Sequence, residues 1–132
     1  MDYRKEVLKN CPNFKTDTIE QKLSLGGLGV AGEAGEVADL IKKVLHHSKP
    51  LDKDKIIKEM GDVYWYLEYL GATLDVSTED VLAANVKKLK ERHPNGWTPE
   101  SQNAKADEKK KCPYAGCPDP FNQQPPCALC YE

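Results

Sequence analysis

Two pairs of acidic residues stand where helical periodicity calls for apolar side chains, and nothing else in this 132-residue chain limits its fold as tightly. In LGVAGEAGEVADLIKK, residues 28–43, Glu33 and Glu36 precede Val37, Leu40 and Ile41, and the helical spacing continues through Val44 and Leu45. At about 100° per residue both glutamates fall on or beside that apolar stripe. Residues 52–74 repeat the conflict. Ile56, Val63, Tyr66, Leu67, Leu70 and Leu74 lie within roughly 80° of Glu59, and Asp62 lies about 60° to its other side. A carboxylate rarely accepts burial unless it is paired or bound to a metal. The chain therefore has to bring partners or a cation to both pairs.

An antiparallel hairpin turning near Lys49 places the two pairs together. Glu36 lies 13 residues before that turn and Asp62 13 after it, so these two are expected to be level. Glu33 and Glu59 are then each one turn away, roughly 5 Å along the axis. Four clustered carboxylates repel one another unless a cation joins them. An all-oxygen donor set suits Mg²⁺ or Mn²⁺ better than Zn²⁺, and Mg²⁺ held by carboxylates keeps positions open for water and substrate phosphates. The plainer alternative is that the acids snorkel from the edge of the stripe or pair with Lys42, Lys43 or Lys58. It suits one such pair better than two pairs level across a hairpin. Asp39 and Glu68 read as solvated charges.

The segment that follows carries the opposite sign. Asn85, Lys88 and Arg92 form a polar stripe at i, i+3 and i+7 beside Leu82, Val86 and Leu89. Such a stripe holds polyphosphate oxygens, with Lys as a point charge and Arg as a fork. An ordinary solvated face fits the pattern equally well. Lys87, Lys90 and Glu91 belong to that solvated face.

Residues 1–98 read as all-α. A short helix over Asp2–Lys9 is followed by one capped by Thr16 or Asp17 and weakened at Gly26 and Gly27. The acidic helix then runs from about Leu28 to His46, with His46 and His47 favourably placed at its C-terminus. Asp52 caps a helix to Leu74, and Ser77 to Asp80 resembles a capping box opening a helix that ends near Arg92. The Asp52–Leu74 helix also carries Tyr64, Trp65 and Tyr69 on its far side, which implies a helix covered all round and a core completed by oligomerisation. Residues 99–111 are a polar linker.

The net charge of −2 argues against nucleic acid as an obligatory partner. No apolar run approaches the ~20 residues of a membrane span, and MDYRKEVLKN has no signal-like apolar core, so a cytoplasmic location is expected. In that reducing compartment the tail, residues 112–132, is better explained by metal than by disulfides. Cys112, Cys117, Cys127 and Cys130 suit a structural, tetrahedral Zn²⁺ with no open position, while Cys11 stands apart.

GLGVAGEAGEVADLIKK, KEMGDVYWYL and NVKKLKERHPNGW together resemble the MazG-like nucleotide pyrophosphohydrolases of the all-α NTP pyrophosphatase superfamily, over about Leu23 to Trp97. The family's signature is Glu-x-x-Glu, a spacer, then Glu-x-x-Asp. It is matched by Glu33–Glu36 and Glu59–Asp62 with a spacer of 22 residues. The resemblance implies Mg²⁺-dependent cleavage of a nucleoside triphosphate to the monophosphate and pyrophosphate. It implies that Glu33, Glu36, Glu59 and Asp62 hold the metal, and that Lys88, Arg92 and Asn85 contact phosphates. It also implies a dimer or a dimer of dimers whose helices complete each other's sites. A carboxylate not fully engaged by metal would activate the attacking water, and Glu36 is favoured. Where the family often has Tyr-Pro-x-Gly-Phe, this chain has His93-Pro94-Asn95-Gly96-Trp97, and Trp97 either stacks on a base or packs the domain's end. The alternatives are a phosphoribosyl-ATP pyrophosphatase-like enzyme, or a non-catalytic nucleic-acid-binding or adaptor protein acting through the four-Cys tail.

Overall fold

The computed structural model describes residues 2–104. The elements are all helical: α1 (Tyr3–Lys9), α2 (Ile19–His47), α3 (Lys53–Leu74), α4 (Thr78–Arg92) and α5 (Pro99–Ala104). The chain divides into two compact units, one ending at Asp80 and the other beginning at Val81.

The first unit is built on the α2–α3 hairpin, with α1 laid against α3. Asp2 caps α1 and Asp52 caps α3, each accepting from the backbone N–H three residues on. The Ser77–Asp80 box forms as expected. Asp80 N–H donates to Ser77 Oγ at 3.0 Å, and Ser77 N–H donates to an Asp80 carboxylate oxygen at 3.1 Å.

Two expected features differ. There is no break at Gly26 and Gly27: α2 is one helix of 29 residues, opened by a Thr18–Gln21 capping box rather than by Thr16 or Asp17. The reason lies across the hairpin. A Cβ on Gly26 would meet Leu70 at 2.4 Å, and one on Gly29 would meet the Tyr66 ring at 2.2 Å. These glycines admit α3 to close range and do not interrupt α2.

The second difference concerns burial. Among the described residues Tyr69 and Val7 are the fully buried hydrophobic side chains, and Gly26 is buried against Tyr69. Phe14 meets Tyr69 edge to face at 5.2 Å, and Trp65 stacks on Tyr69 at 5.7 Å. Tyr64, expected to be covered, is 61% exposed. Within one chain α3 is therefore not surrounded.

Glu68 is not the solvated charge it was expected to be. Its carboxylate accepts from Arg4 Nε at 2.6 Å and from the Thr78 hydroxyl at 2.5 Å, while the Arg4 Nη2 group donates to the Val76 carbonyl. This network joins α1, the end of α3 and the start of α4. Burial pushes the Glu68 carboxyl up, but the hydrogen bonds from Thr78 and Arg4 outweigh it and hold it below its ordinary range. A depressed carboxylate stabilises the fold above its unfolded-state pKa of about 4.3 and loses that contribution as pH falls through the folded value. Arg4→Ala is accordingly expected to cost about 1–2 kcal/mol at pH 7. The gap from wild type should narrow near pH 3, as read from urea melts at both pH values. An equal gap at both would reject the ion pair as its source.

Candidate active site

Antiparallel packing sets which acids meet. Gly26 lies against Leu70 and Gly29 against Tyr66. Four residues on from Gly29 is Glu33, and four back from Tyr66 is Asp62. The level partners are therefore Glu33 with Asp62 and Glu36 with Glu59, not Glu36 with Asp62 as the turn position suggests. The carboxylates follow that register. One oxygen from each of Glu33, Glu59 and Asp62 lies within 4.8 Å of the others. Glu36 is outside this group. Glu33 and Glu59 are half-buried, whereas Asp62 and Glu36 are exposed, so the expectation of four interior acids holds for two of them in the single chain.

Among the described residues the cluster has no ion-pair partner. Lys42 and Lys43, candidates to neutralise it, are both taken by Asp39 on the same helix. Their hydrogen bonds bring the Asp39 carboxyl down to about 2, so Asp39 is paired rather than merely solvated. Partial burial, then the charges of Asp62, Glu59 and Glu36, push the Glu33 carboxyl up. Three carboxylates from two facing helices match the hard all-oxygen donor set that Mg²⁺ or Mn²⁺ takes. A separate cavity of about 400 Å³ near the hairpin turn, between Leu40, Val44, Pro50 and Ile56, contains none of these acids.

The second unit brings the cationic residues to one place. Lys88, Arg92 and Trp97 line a single pocket of about 490 Å³, together with Lys90, His93 and Gln102. Asn85 is exposed on α4 and is not among the lining residues. Lys90, assigned to the solvated face, is exposed as expected and also lines the pocket.

Residues 21–97 match the MazG nucleotide pyrophosphohydrolase domain, a stretch holding both acidic pairs and all of α3 and α4. The chain belongs to the MazG nucleotide pyrophosphohydrolase family. Its matched span agrees closely with the one carried by the sequence motifs. The chain is also similar to the Gene 37 protein of Mycobacterium phage L5, being 38% identical to it over 84 residues. That alignment covers 61% of this chain and 73% of the relative. No solved structure matches.

Within the MazG domain the three-carboxylate group spans the two halves of the acidic signature. Trp97 is the last matched residue, so α5 and Gln102 lie beyond the family's span. Polar composition hides α5 inside the expected linker, although Thr98-Pro99 is a helix-start signal, an N-cap followed by Pro at the first helical position. The four-cysteine zinc expectation, Cys112, Cys117, Cys127 and Cys130, lies outside the described residues. No helix among the described residues is long and apolar enough to cross a membrane.

Proposed function

We propose that this chain is a Mg²⁺- or Mn²⁺-dependent nucleoside triphosphate pyrophosphohydrolase, converting an NTP or dNTP to the monophosphate and pyrophosphate. The observation that carries this reading is the convergence of Glu33, Glu59 and Asp62 within 4.8 Å inside the family-matched span. These three would hold the metal. Bound there, Mg²⁺ would neutralise charge developing on the phosphoryl oxygens. Glu36, one helical turn from Glu33 and outside the group, is free to accept the proton of the attacking water. Lys88 and Arg92 would bind phosphate oxygens through charge-assisted hydrogen bonds. Pyrophosphate release from a panel of NTPs and dNTPs, with and without Mg²⁺, tests the reading. Release that needs the metal upholds it, and no release from any nucleotide rejects it.

The same reading includes self-association. Leu28 is 72% exposed, Leu45 71%, Ile57 63% and Tyr64 61%, too much apolar surface on one hairpin for an isolated chain. A second copy covering these residues would also enclose the half-open acids. Light scattering at micromolar concentration is expected to give the mass of a dimer or a dimer of dimers. A folded, active monomer of 14.8 kDa would contradict it.

A further inference from the structure

We infer that the pocket formed by the end of α4, the turn at residues 93–97 and α5 reads the substrate's nucleobase, with Trp97 stacking on the base and Gln102 hydrogen-bonding to its edge. The inference rests on the hydrolase reading and adds what that reading lacks, a group that tells one base from another.

The pocket's chemistry selects its occupant. Trp97 leaves 67% of its surface uncovered, a broad flat apolar face open to a ligand. Around it stand Lys88, Lys90 and the His93 imidazole, with Arg92 also in the lining, and among the described residues no carboxylate lines the space. A ligand that satisfies both the indole and the cations is flat, aromatic and anionic, as a nucleotide is. The volume of about 490 Å³ falls in the range of roughly 300–1,000 Å³ usual for small-molecule sites.

The placement of Trp97 and Gln102 is built, not incidental. Gly96 adopts φ 92°, a conformation that side-chain-bearing residues rarely take, and its N–H donates to the His93 carbonyl at 3.0 Å. That turn delivers Trp97. Thr98 and Ser101 then cap α5 reciprocally: Ser101 N–H donates to Thr98 Oγ1 at 3.0 Å and Thr98 N–H to Ser101 Oγ at 2.9 Å. The Ser101 hydroxyl also meets His93 Nδ1 at 2.6 Å, which ties α5 back to the end of α4. Gln102, the next residue, is thereby held at the pocket with an amide that offers both donors and an acceptor. Every base has a face on which to stack, but each has its own edge. Trp97 therefore contributes general affinity and Gln102 preference.

Steady-state kinetics on matched A, G, C and U or T triphosphates test the inference. Trp97→Ala is expected to raise KM about tenfold for all of them, with a smaller effect on kcat, and Trp97→Phe to recover most of the loss. Gln102→Ala is expected to compress the spread of kcat/KM among the bases by about tenfold while all are still turned over. An unchanged KM in Trp97→Ala and an unchanged spread of kcat/KM among the bases in Gln102→Ala would overturn the inference and leave the hydrolase reading standing. If the wild-type protein hydrolyses no nucleotide, that reading fails, and indole fluorescence decides the pocket by itself. Saturable quenching by nucleoside monophosphates that disappears in Trp97→Phe, with Trp65 still stacked on Tyr69, upholds it. No quenching, or quenching by single-stranded oligonucleotides alone, rejects it.

Discussion

Asp62→Asn, Glu59→Gln and Glu33→Gln are each expected to lower kcat by about three orders of magnitude or more while the helices stay folded. The loss corresponds to about 4 kcal/mol of transition-state stabilisation, the scale of a Lewis acid's contribution to phosphoryl charge. Each substitution keeps the side chain's shape and removes one anionic donor from the group within 4.8 Å. Each also relieves repulsion among the clustered carboxylates, so the metal-free protein should melt no lower than wild type. Glu36→Gln separates two roles. It too should abolish turnover, because the acceptor for the water's proton is gone, but it should keep the Mn²⁺ affinity that the other three variants lose. Near-normal rates for the three cluster variants would defeat the metal-site assignment, and loss of Mn²⁺ binding in Glu36→Gln would place that residue among the ligands.

Gly26→Ala combined with Gly29→Ala is expected to destabilise the protein by about 2 kcal/mol net, against the direction that helix propensity dictates. Alanine improves on glycine by about 1 kcal/mol in a helix interior. Here, however, the new methyls would lie 2.6 Å from the branch carbon of Leu70 and from Cγ of Tyr66. Neither is the far end of a flexible side chain, so α3 has to move off α2. Overpacking of this kind costs about 1–3 kcal/mol per site. Because the same two contacts set the register of the hairpin, the shift should also spoil the approach of Glu33 to Asp62 and lower activity. Gly27→Ala meets nothing within 4 Å and serves as the control, expected to hold or raise stability. Thermal melts of the double variant equal to or above wild type would show that the close approach does not hold the hairpin.

Much of this was legible before any coordinates. The start of α3 follows from Asp52, whose side chain caps the first turn, and its expected end at Leu74 is met, with Asp75 closing the helix in the left-handed conformation. The Ser77–Asp80 box reads directly, and two acidic pairs on apolar stripes point to the α2–α3 contact. What was hidden depends on neighbours distant in sequence. Gly26-Gly27 resembles a helix break until Leu70 is seen beside Gly26, because sequence spacing does not reveal a close helix crossing. The pairing of Glu33 with Asp62 was misjudged because the register is set by the approach of Gly26 to Leu70 and of Gly29 to Tyr66, which the turn's midpoint does not reveal. Glu68 looked solvated because its partner Arg4 is 64 positions away. Trp97, Lys88 and Arg92 were recognised as candidates, but Gln102 was not, since an amide in a polar stretch carries no periodic signal.

Product analysis by ³¹P NMR tests the central claim most directly, that acids on α2 and α3 hold a divalent cation for pyrophosphate release. Wild-type protein given a nucleoside triphosphate and Mg²⁺ is expected to yield monophosphate and pyrophosphate in equal amounts, with turnover stopped by chelation and restored by added Mg²⁺. Diphosphate with orthophosphate as products, or turnover indifferent to chelation, would contradict it.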